Sequence, residues 1–486
     1  MSQDSTDLAE SRYRRVAIII IMLGVTMSAV DTTAVVLGLP VMMQDLHSDI
    51  LSMVWVLLAY LLVITILGTQ VGKLGDMFGR VRMYNLGFAV FTFGSLLCGI
   101  SSDGTQLIAF RVLQGIGGAL ISSNSGAIIA DTFSQKERGK AFGITGMGWS
   151  IGAILGILIG GAFVTFLNWR YIFFINLPIG VAATVAGYYL LKERSPRKKE
   201  TVDLGGICLL GLSLFLILYA LTSITGSGLT PEYTTDLIVG ALTFIGFVLW
   251  EWRSKSPFLD LSLFHDRIFR SSSLAAFFQS LASYAVIFLV IMYLQGPRGM
   301  TPWDASLLLI PGYVLGGLIA PFAGRLSDTH GARVIASIGL GLQIGGILVF
   351  SILDLNTPVY LIILGSVLNG AGTSSFFPAN TSAVMANAPP KSYGISAGLL
   401  RTMSNLGMVC SFAVALFFAS ISIPRDVAFQ IFLGVGGLRG DLASAFIDGM
   451  HSALFASIVL LVVAFFLSVL RGKEARTNMD EPRSAK

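Results

Sequence analysis

Charge is scarce in this chain: only 12% of its 486 residues are charged, against 54% hydrophobic and a mean hydropathy of +0.78. No soluble core accounts for that balance, which excludes a water-soluble globular class. Cysteine is rarer still. Cys98, Cys208 and Cys410 all fall in apolar runs without paired spacing, so neither a disulfide framework nor a thiolate metal site is expected. The four histidines, His47, His265, His330 and His451, are scattered over loops and run ends, which leaves no metal cluster and no catalytic grouping of a membrane acyl or glycosyl transferase. No enzyme activity, metal or cofactor is expected. The polar residues before Val16 lack the short apolar region and small-residue cleavage site of a signal peptide, so the first apolar run should stay uncleaved.

What is present is apolar length. Windows of about 20 apolar residues, enough for one membrane span, occur fourteen times. The chain therefore reads as an all-α integral membrane protein of the cell membrane. Its expected parts are a cytoplasmic N-terminal tail (1–15), a six-helix bundle (16–191), a basic linker with an inserted two-helix hairpin (192–270), a second six-helix bundle (271–470) with a long outer loop at 420–448, and a cytoplasmic tail (471–486). Basic residues set the orientation. Arg12, Arg14 and Arg15 precede the first span and most other Lys and Arg lie on that side, whereas the opposite loops hold only Arg170, Arg298, Arg425 and Arg439. This positive-inside bias puts both termini in the cytoplasm. It also accounts for a pI near 9.1 without any nucleic-acid partner. The long, apolar outer segment from Ser420 to Phe446 suggests a structured flap over the outer mouth.

The chain repeats itself. Gly72-Lys-Leu-Gly-Asp-Met-Phe-Gly-Arg-Val-Arg82 is echoed by Gly324-Arg-Leu-Ser-Asp-Thr-His-Gly-Ala-Arg333, with Gly72, Asp76 and Gly79 matching Gly324, Asp328 and Gly331 at one interval. Each is a charged turn between two apolar runs, with its aspartate expected near the positive end of the following helix. These two loops, with Lys73, Asp76 and Arg80 in the first, Arg325, Asp328 and Arg333 in the second, and Gly79 and Gly331 as turn glycines, read as the hinges of two similar halves.

Two rare charges share a depth within the spans. Asp31 lies roughly 10 Å and Arg111 roughly 9 Å from the outer ends of the first and fourth spans, at 1.5 Å per residue. A carboxylate there must face protein or water. It is either a polar contact between helices or a functional group, and since burial penalises its charge while a cation favours it, it is a candidate proton carrier. The glycines Gly115, Gly117 and Gly118 beside Arg111 fit close helix packing better than a nucleotide loop. A stripe at Gly148, Gly152, Gly156 and Gly160 in the fifth span has a counterpart at Gly312 and Gly316 in the tenth, and the two are expected to meet between the halves, the alternative being packing within each half.

Between residues 271 and 419 the second half has no acid at mid-span depth. Its cavity candidates are Gln279, Tyr284, Tyr293, Gln343, Asn369, Phe376, Phe377, Asn380 and Asn405, joined by Gln114 from the first half. Such amides and aromatics suit an amphipathic or apolar ligand better than a sugar or peptide. Arg401, about seven residues from the inner end of its span, fits snorkelling and a transport role equally.

On these motifs the chain resembles the major facilitator superfamily, in particular its fourteen-helix drug/proton antiporter branch. Gly72 to Arg82 matches the family's loop between helices two and three, Asp31 to Pro40 its first-helix motif, Arg111 to Gly118 its fourth-helix motif, and Trp169-Arg-Tyr-Ile-Phe-Phe-Ile-Asn-Leu-Pro-Ile-Gly180 its sixth-helix signature. The resemblance implies six, two and six helices, and a monomer that exports amphipathic small molecules against protons by alternating access, with Asp31 and Arg111 coupling the protons, Lys73, Asp76, Arg80, Arg325, Asp328 and Arg333 forming an inner gate with the turn glycines, and membrane lipid as the surroundings. One departure stands out. Where the family's fifth-helix antiporter motif has proline, this chain has Ile157, so a straighter fifth helix is expected. Transport of one metabolite, such as a siderophore, amino acid or lipid-like molecule, is the rival within transport, and a membrane receptor the rival outside it.

Overall fold

The computed structural model describes residues 2–133, 137–194, 197, 201–254, 261–387, 393–423 and 440–472. Among these residues, 14 helices are long and apolar enough to cross a membrane. They are α1 (Ser2–Asp45), α2 (Ile50–Phe78), α3 (Arg80–Gly99), α4 (Gly104–Thr132), α5 (Arg138–Phe166), α6 (Asn176–Leu190, led by the one-turn helix Tyr171–Phe174), α7 (Leu204–Ser227), α8 (Pro231–Arg253), α9 (Arg267–Gln295), α10 (Pro302–His330), α11 (Ala332–Phe350), α12 (Val359–Asn387), α13 (Tyr393–Ile421) and α14 (Asp441–Leu470). Short polar side chains start several of them. Asp49, Asp103, Asp203 and Asp266 accept the backbone N–H three residues on, which satisfies one orphan donor of α2, α4, α7 and α9. Thr230 and Thr301 do the same for α8 and α10, each followed by a proline that needs no partner in the first turn.

Packing repeats with the sequence. In the first half α1 packs on α5, α3 on α4, α2 on α4 and α3 on α6, and in the second α9 packs on α13, α11 on α12, α10 on α12 and α11 on α14. The contacts that cross between the halves repeat too, α5 against α10 and α2 against α13. Six helices thus recur in the same neighbour relations, as an internal two-fold demands. The hairpin α7–α8 stands outside this scheme, with α7 lying against both α2 and α13.

Several expectations change. The polar segment before Val16 is helical, since α1 runs through it from Ser2. Arg14 pairs there with Glu137 at 3.0 Å and Arg194 with Glu10 at 2.7 Å, tying this extension to the ends of neighbouring loops. Most of the long outer segment, 424–439, lies outside the described residues, as do 195–196 and 198–200 of the basic linker and the tail from 473. α5 runs unbroken through Ile157, which is buried.

The glycine stripes correct a more specific expectation. α5 and α10 do meet, yet by other faces. A Cβ on Gly148 would come within 2.8 Å of Met22, one on Gly152 within 2.6 Å of the Thr26 carbonyl, and one on Gly160 within 2.9 Å of Ala34, while Gly156 backs onto Val30 and Thr33, all on α1. Gly312 and Gly316 likewise back onto Ser366, Gly370 and Ser374 of α12. Each stripe therefore closes a pair of helices within its own half.

Candidate functional site

At the centre of the first half, α1, α3, α4 and α6 each send one or more polar side chains to the same point. Asp31 and Arg111 are both 0% exposed, and their Oδ2 and Nη1 lie 2.6 Å apart. Gln114, one turn beyond Arg111, donates from Nε2 to Asp31 Oδ1 at 2.8 Å and to Ser95 Oγ at 2.7 Å, and its Oε1 accepts from Arg111 at 2.6 Å. Asn176 Nδ2 donates to Asp31 Oδ1 at 3.2 Å. Three N–H donors thus converge on one carboxylate. Arg111 is held from the other side by the Val56 carbonyl at 3.0 Å and by the face of Tyr60, 4.2 Å from its guanidinium carbon. Its Nη2 has no hydrogen-bond partner. The two charges that share a depth in the sequence are thus in direct contact. Sequence reasoning missed Ser95, Asn176 and Tyr60, although an amide and a hydroxyl inside apolar runs were the available signal.

The second half carries a neutral counterpart on the corresponding helices. Gln279 of α9 donates to Gln343 of α11 at 3.3 Å, Gln343 donates to Thr373 of α12, and Thr373 donates to the Asn369 carbonyl at 2.9 Å. All three amides are buried. Thus Gln114, Gln279 and Gln343 tie helices together inside each half, whereas Asn369 offers only its backbone carbonyl within α12 and its buried Oδ1 has no hydrogen-bond partner.

Three other cavity candidates belong elsewhere. Tyr293 is fully buried at the end remote from the termini. Its hydroxyl donates to the Asp354 carbonyl at 2.6 Å and accepts from Arg298 at 3.2 Å, so it braces a turn. The Asp354 carboxyl in that turn sits below the usual carboxylate range because the Thr357 hydroxyl and the Asn356 N–H donate to it. Phe376 is fully buried where α11 and α12 pack. Asn380 donates to the Ser272 carbonyl at 3.0 Å and accepts from Arg471 at 3.2 Å, joining α9, α12 and the end of α14. Tyr284, Phe377 and Asn405 remain half-buried.

The two halves are joined by hydrogen bonds at the end remote from the termini. Gln295 donates to the Leu37 carbonyl at 3.0 Å, and the Trp303 N–H donates to Thr165 at 3.0 Å. Leu39, Met43, Met53, Phe288 and Met292 close an apolar crevice beside them.

At the terminus-bearing end the repeated loops share a backbone device. Gly79 (φ 113°) and Gly331 (φ 93°) each end one helix and start the next in the left-handed region that favours glycine. Arg80 binds Asp76 at 2.6 Å and Asp131 of α4 at 2.6 Å. The carboxylate at the start of α3 is Glu193, which accepts from the Arg80 and Val81 N–H groups at 2.7 and 3.2 Å, whereas the expectation gave that place to Asp76. This network stays within the first half. In the second copy Arg325 is exposed, Arg333 is half-buried, and the Asp328 side chain lies outside the described set.

Comparison with known proteins finds a family model described as Major Facilitator Superfamily matching residues 21–409 and 272–485. The chain is 33% identical over 420 residues to the riboflavin transporter RibZ of Clostridioides difficile (strain 630), covering 86% of this chain and 90% of that protein. It is 30% identical to the tetracenomycin C resistance and export protein of Streptomyces glaucescens, over 80% of this chain and 72% of the other. In fold it is similar to a bacterial homolog of the human lysosomal transporter Spinster, solved in an inward-facing, unoccupied conformation, with a TM-score of 0.67 at 18% identity, covering 94% of this chain and 97% of that one.

Proposed function

The chain belongs to the Major Facilitator Superfamily, a family of transporters and not enzymes, and is a multi-pass integral membrane protein; from that premise we propose that it exports amphipathic small molecules in exchange for protons. The observation that carries the reading is the Asp31–Arg111 pair, two opposite charges 2.6 Å apart and both at 0% exposure. Taking both from water is costly, and a neutral cluster serves the same structural end in the second half. The charged version therefore has a use beyond holding helices, and accepting a proton when Arg111 swings away is the chemistry it offers.

The halves would rock about the cavity between them, as paired six-helix units do in this fold class. Positive-inside bias makes the terminus-bearing face cytoplasmic. The bonds of Gln295 and Trp303 then seal the outside, and this conformer takes substrate from within. In the opposite state Lys73, Asp76 and Arg80, with Arg325, Asp328 and Arg333, close the inside. Proton and substrate exclude each other because each favours a different state.

Proteoliposomes with an imposed pH gradient and a dye panel test this. Asp31→Asn should lose gradient-driven accumulation while keeping dye exchange; unchanged pH-driven transport in that variant would remove Asp31 from the coupling. A second reading, carriage of one metabolite, draws on the riboflavin transporter among the relatives. A wild type that moves riboflavin and ignores the dyes would establish it.

A further inference from the structure

The first half neutralises its own mid-span charge, and the second does not. Arg401 of α13 is exposed, and among the described residues its electrostatic neighbour is Tyr284, with no carboxylate facing it. Among the described residues the acids of the second half lie at span ends or in a turn: Asp266 caps α9, Asp304 and Asp328 are near the two ends of α10, Asp354 is in the turn after α11, and Asp441 and Asp448 are in the first turns of α14. Direction decides what this cation does. Arg401 sits about 12 Å along α13 from Tyr393, whereas Tyr284 sits about 25 Å along α9 from Arg267, at 1.5 Å per residue. The two helices run side by side, with Ala285 N–H bonded to Ser411 at 2.9 Å. A guanidinium within reach of Tyr284 therefore extends away from the terminus-bearing face, toward mid-depth, which is opposite to the course of a snorkelling side chain. Tyr313 of α10, half-buried, is an electrostatic neighbour of Tyr284. Asn405, one turn beyond Arg401, shares its helix face and is half-buried. α13 also lies against α2 of the other half, so the exposed cation sits near the seam where the halves meet.

We propose that Arg401, Tyr284, Tyr313 and Asn405 form the polar subsite of the transport cavity, and that it selects amphipathic organic anions carrying an aromatic ring. The guanidinium supplies a charge-assisted fork for a carboxylate or similar oxyanion, and the tyrosines supply ring faces beside it. With Asp31 already engaged by Arg111, the cavity keeps a net positive charge in this conformer. Neutral amphipaths fit more weakly, and cations are disfavoured. This subsite rests on the transport reading for its purpose, yet binding tests it separately.

The full chain in neutral detergent micelles is titrated with pyrenebutyrate, its methyl ester and pyrenebutylamine, read by pyrene fluorescence. The acid should bind about tenfold or more tightly than the ester, as one charge-assisted hydrogen bond allows, and the amine most weakly. Arg401→Gln should erase the acid's advantage and keep ester binding, while Arg401→Lys retains most of the preference. If Arg401→Gln loses the ester as well it has misfolded, and the wild-type ranking with the lysine variant decides. Equal binding of the three probes, binding of none, or an acid preference that survives Arg401→Gln overturns the proposal. A selective anion site in a protein that transports nothing would sink the efflux reading and leave this one standing.

Discussion

Removing one member of the Asp31–Arg111 pair should cost far more than removing both. Asp31→Asn leaves a guanidinium at 0% exposure with the Val56 carbonyl, Gln114 and the Tyr60 face but no counter-charge. Arg111→Gln leaves a carboxylate with only the amides of Gln114 and Asn176. Breaking a buried pair from one side costs about 3–5 kcal/mol, whereas replacing both charges by neutral groups of similar size is often close to neutral. The double variant should therefore lie within about 1–3 kcal/mol of wild type, although the two single losses add to roughly twice the cost of either. Tryptophan fluorescence during denaturant titration in mixed micelles measures all four corners of this cycle. Additivity of the single losses to within about 0.5 kcal/mol would mean that the two charges are energetically independent. The case for Asp31 as a coupled carrier would then lose its physical basis.

Other consequences can be checked one by one. Cysteines at Ala29 and Gly152, in a background lacking Cys98, Cys208 and Cys410, should cross-link readily, and cysteines at Gly152 and Gly316 should not; the reverse pattern would restore a contact between the stripes. Cross-linking Thr165→Cys to Trp303→Cys should lock the far end shut and stop transport, with recovery on reduction, because that bond joins the halves there. Transport that continues unaffected would mean the seal never opens. Gly79→Ala should destabilise by about 1–3 kcal/mol through its positive φ, and by crowding Glu193, whose Oε2 would sit 2.6 Å from the new Cβ. An unfolding midpoint equal to wild type would refute that.

Much of this was legible in the sequence, for physical reasons. A mid-span aspartate and arginine are rare enough that equal depth invited pairing without establishing contact, and Asp31 and Arg111 do touch. Apolar length gave the helices because a bilayer allows little else. Failures arose where a signal says how close but not to what. A glycine every four residues announces a close-packed face, and nothing in Gly148 to Gly160 names α1 over α10 as the neighbour. Amides and aromatics in spans were read as cavity lining, yet Tyr293, Phe376 and Asn380 serve packing, since a buried polar atom must first find a partner wherever it lies. Glu193 was invisible for a different reason: it reaches Arg80 from far along the chain, across a fold that had first to exist.

The inserted hairpin limits how the halves can part. α7 is bonded to α2 at both ends, through Trp55 to Thr222 at 3.3 Å near one face and through Gln70 to the Asp203 N–H at 3.1 Å near the other. Between them, Ile66 packs against the backbone at Gly211. Two bolts and a close-packed middle make α7 part of the first half's rigid body, although it also rests on α13 of the second. Any rocking must then slide α13 along α7 as well as along α2, which keeps the seam between α2 and α13 covered. The opposite seam, between α5 and α10, has no such cover among the described residues, and Phe142, Met147 and Phe322 are exposed on the terminus-bearing halves of those helices. An internal two-fold would make the two seams equivalent, and the hairpin breaks that equivalence. On the proposed efflux reading, a substrate dissolved in lipid would meet one sheltered seam and one open one, and the sheltered seam is where Arg401 is carried.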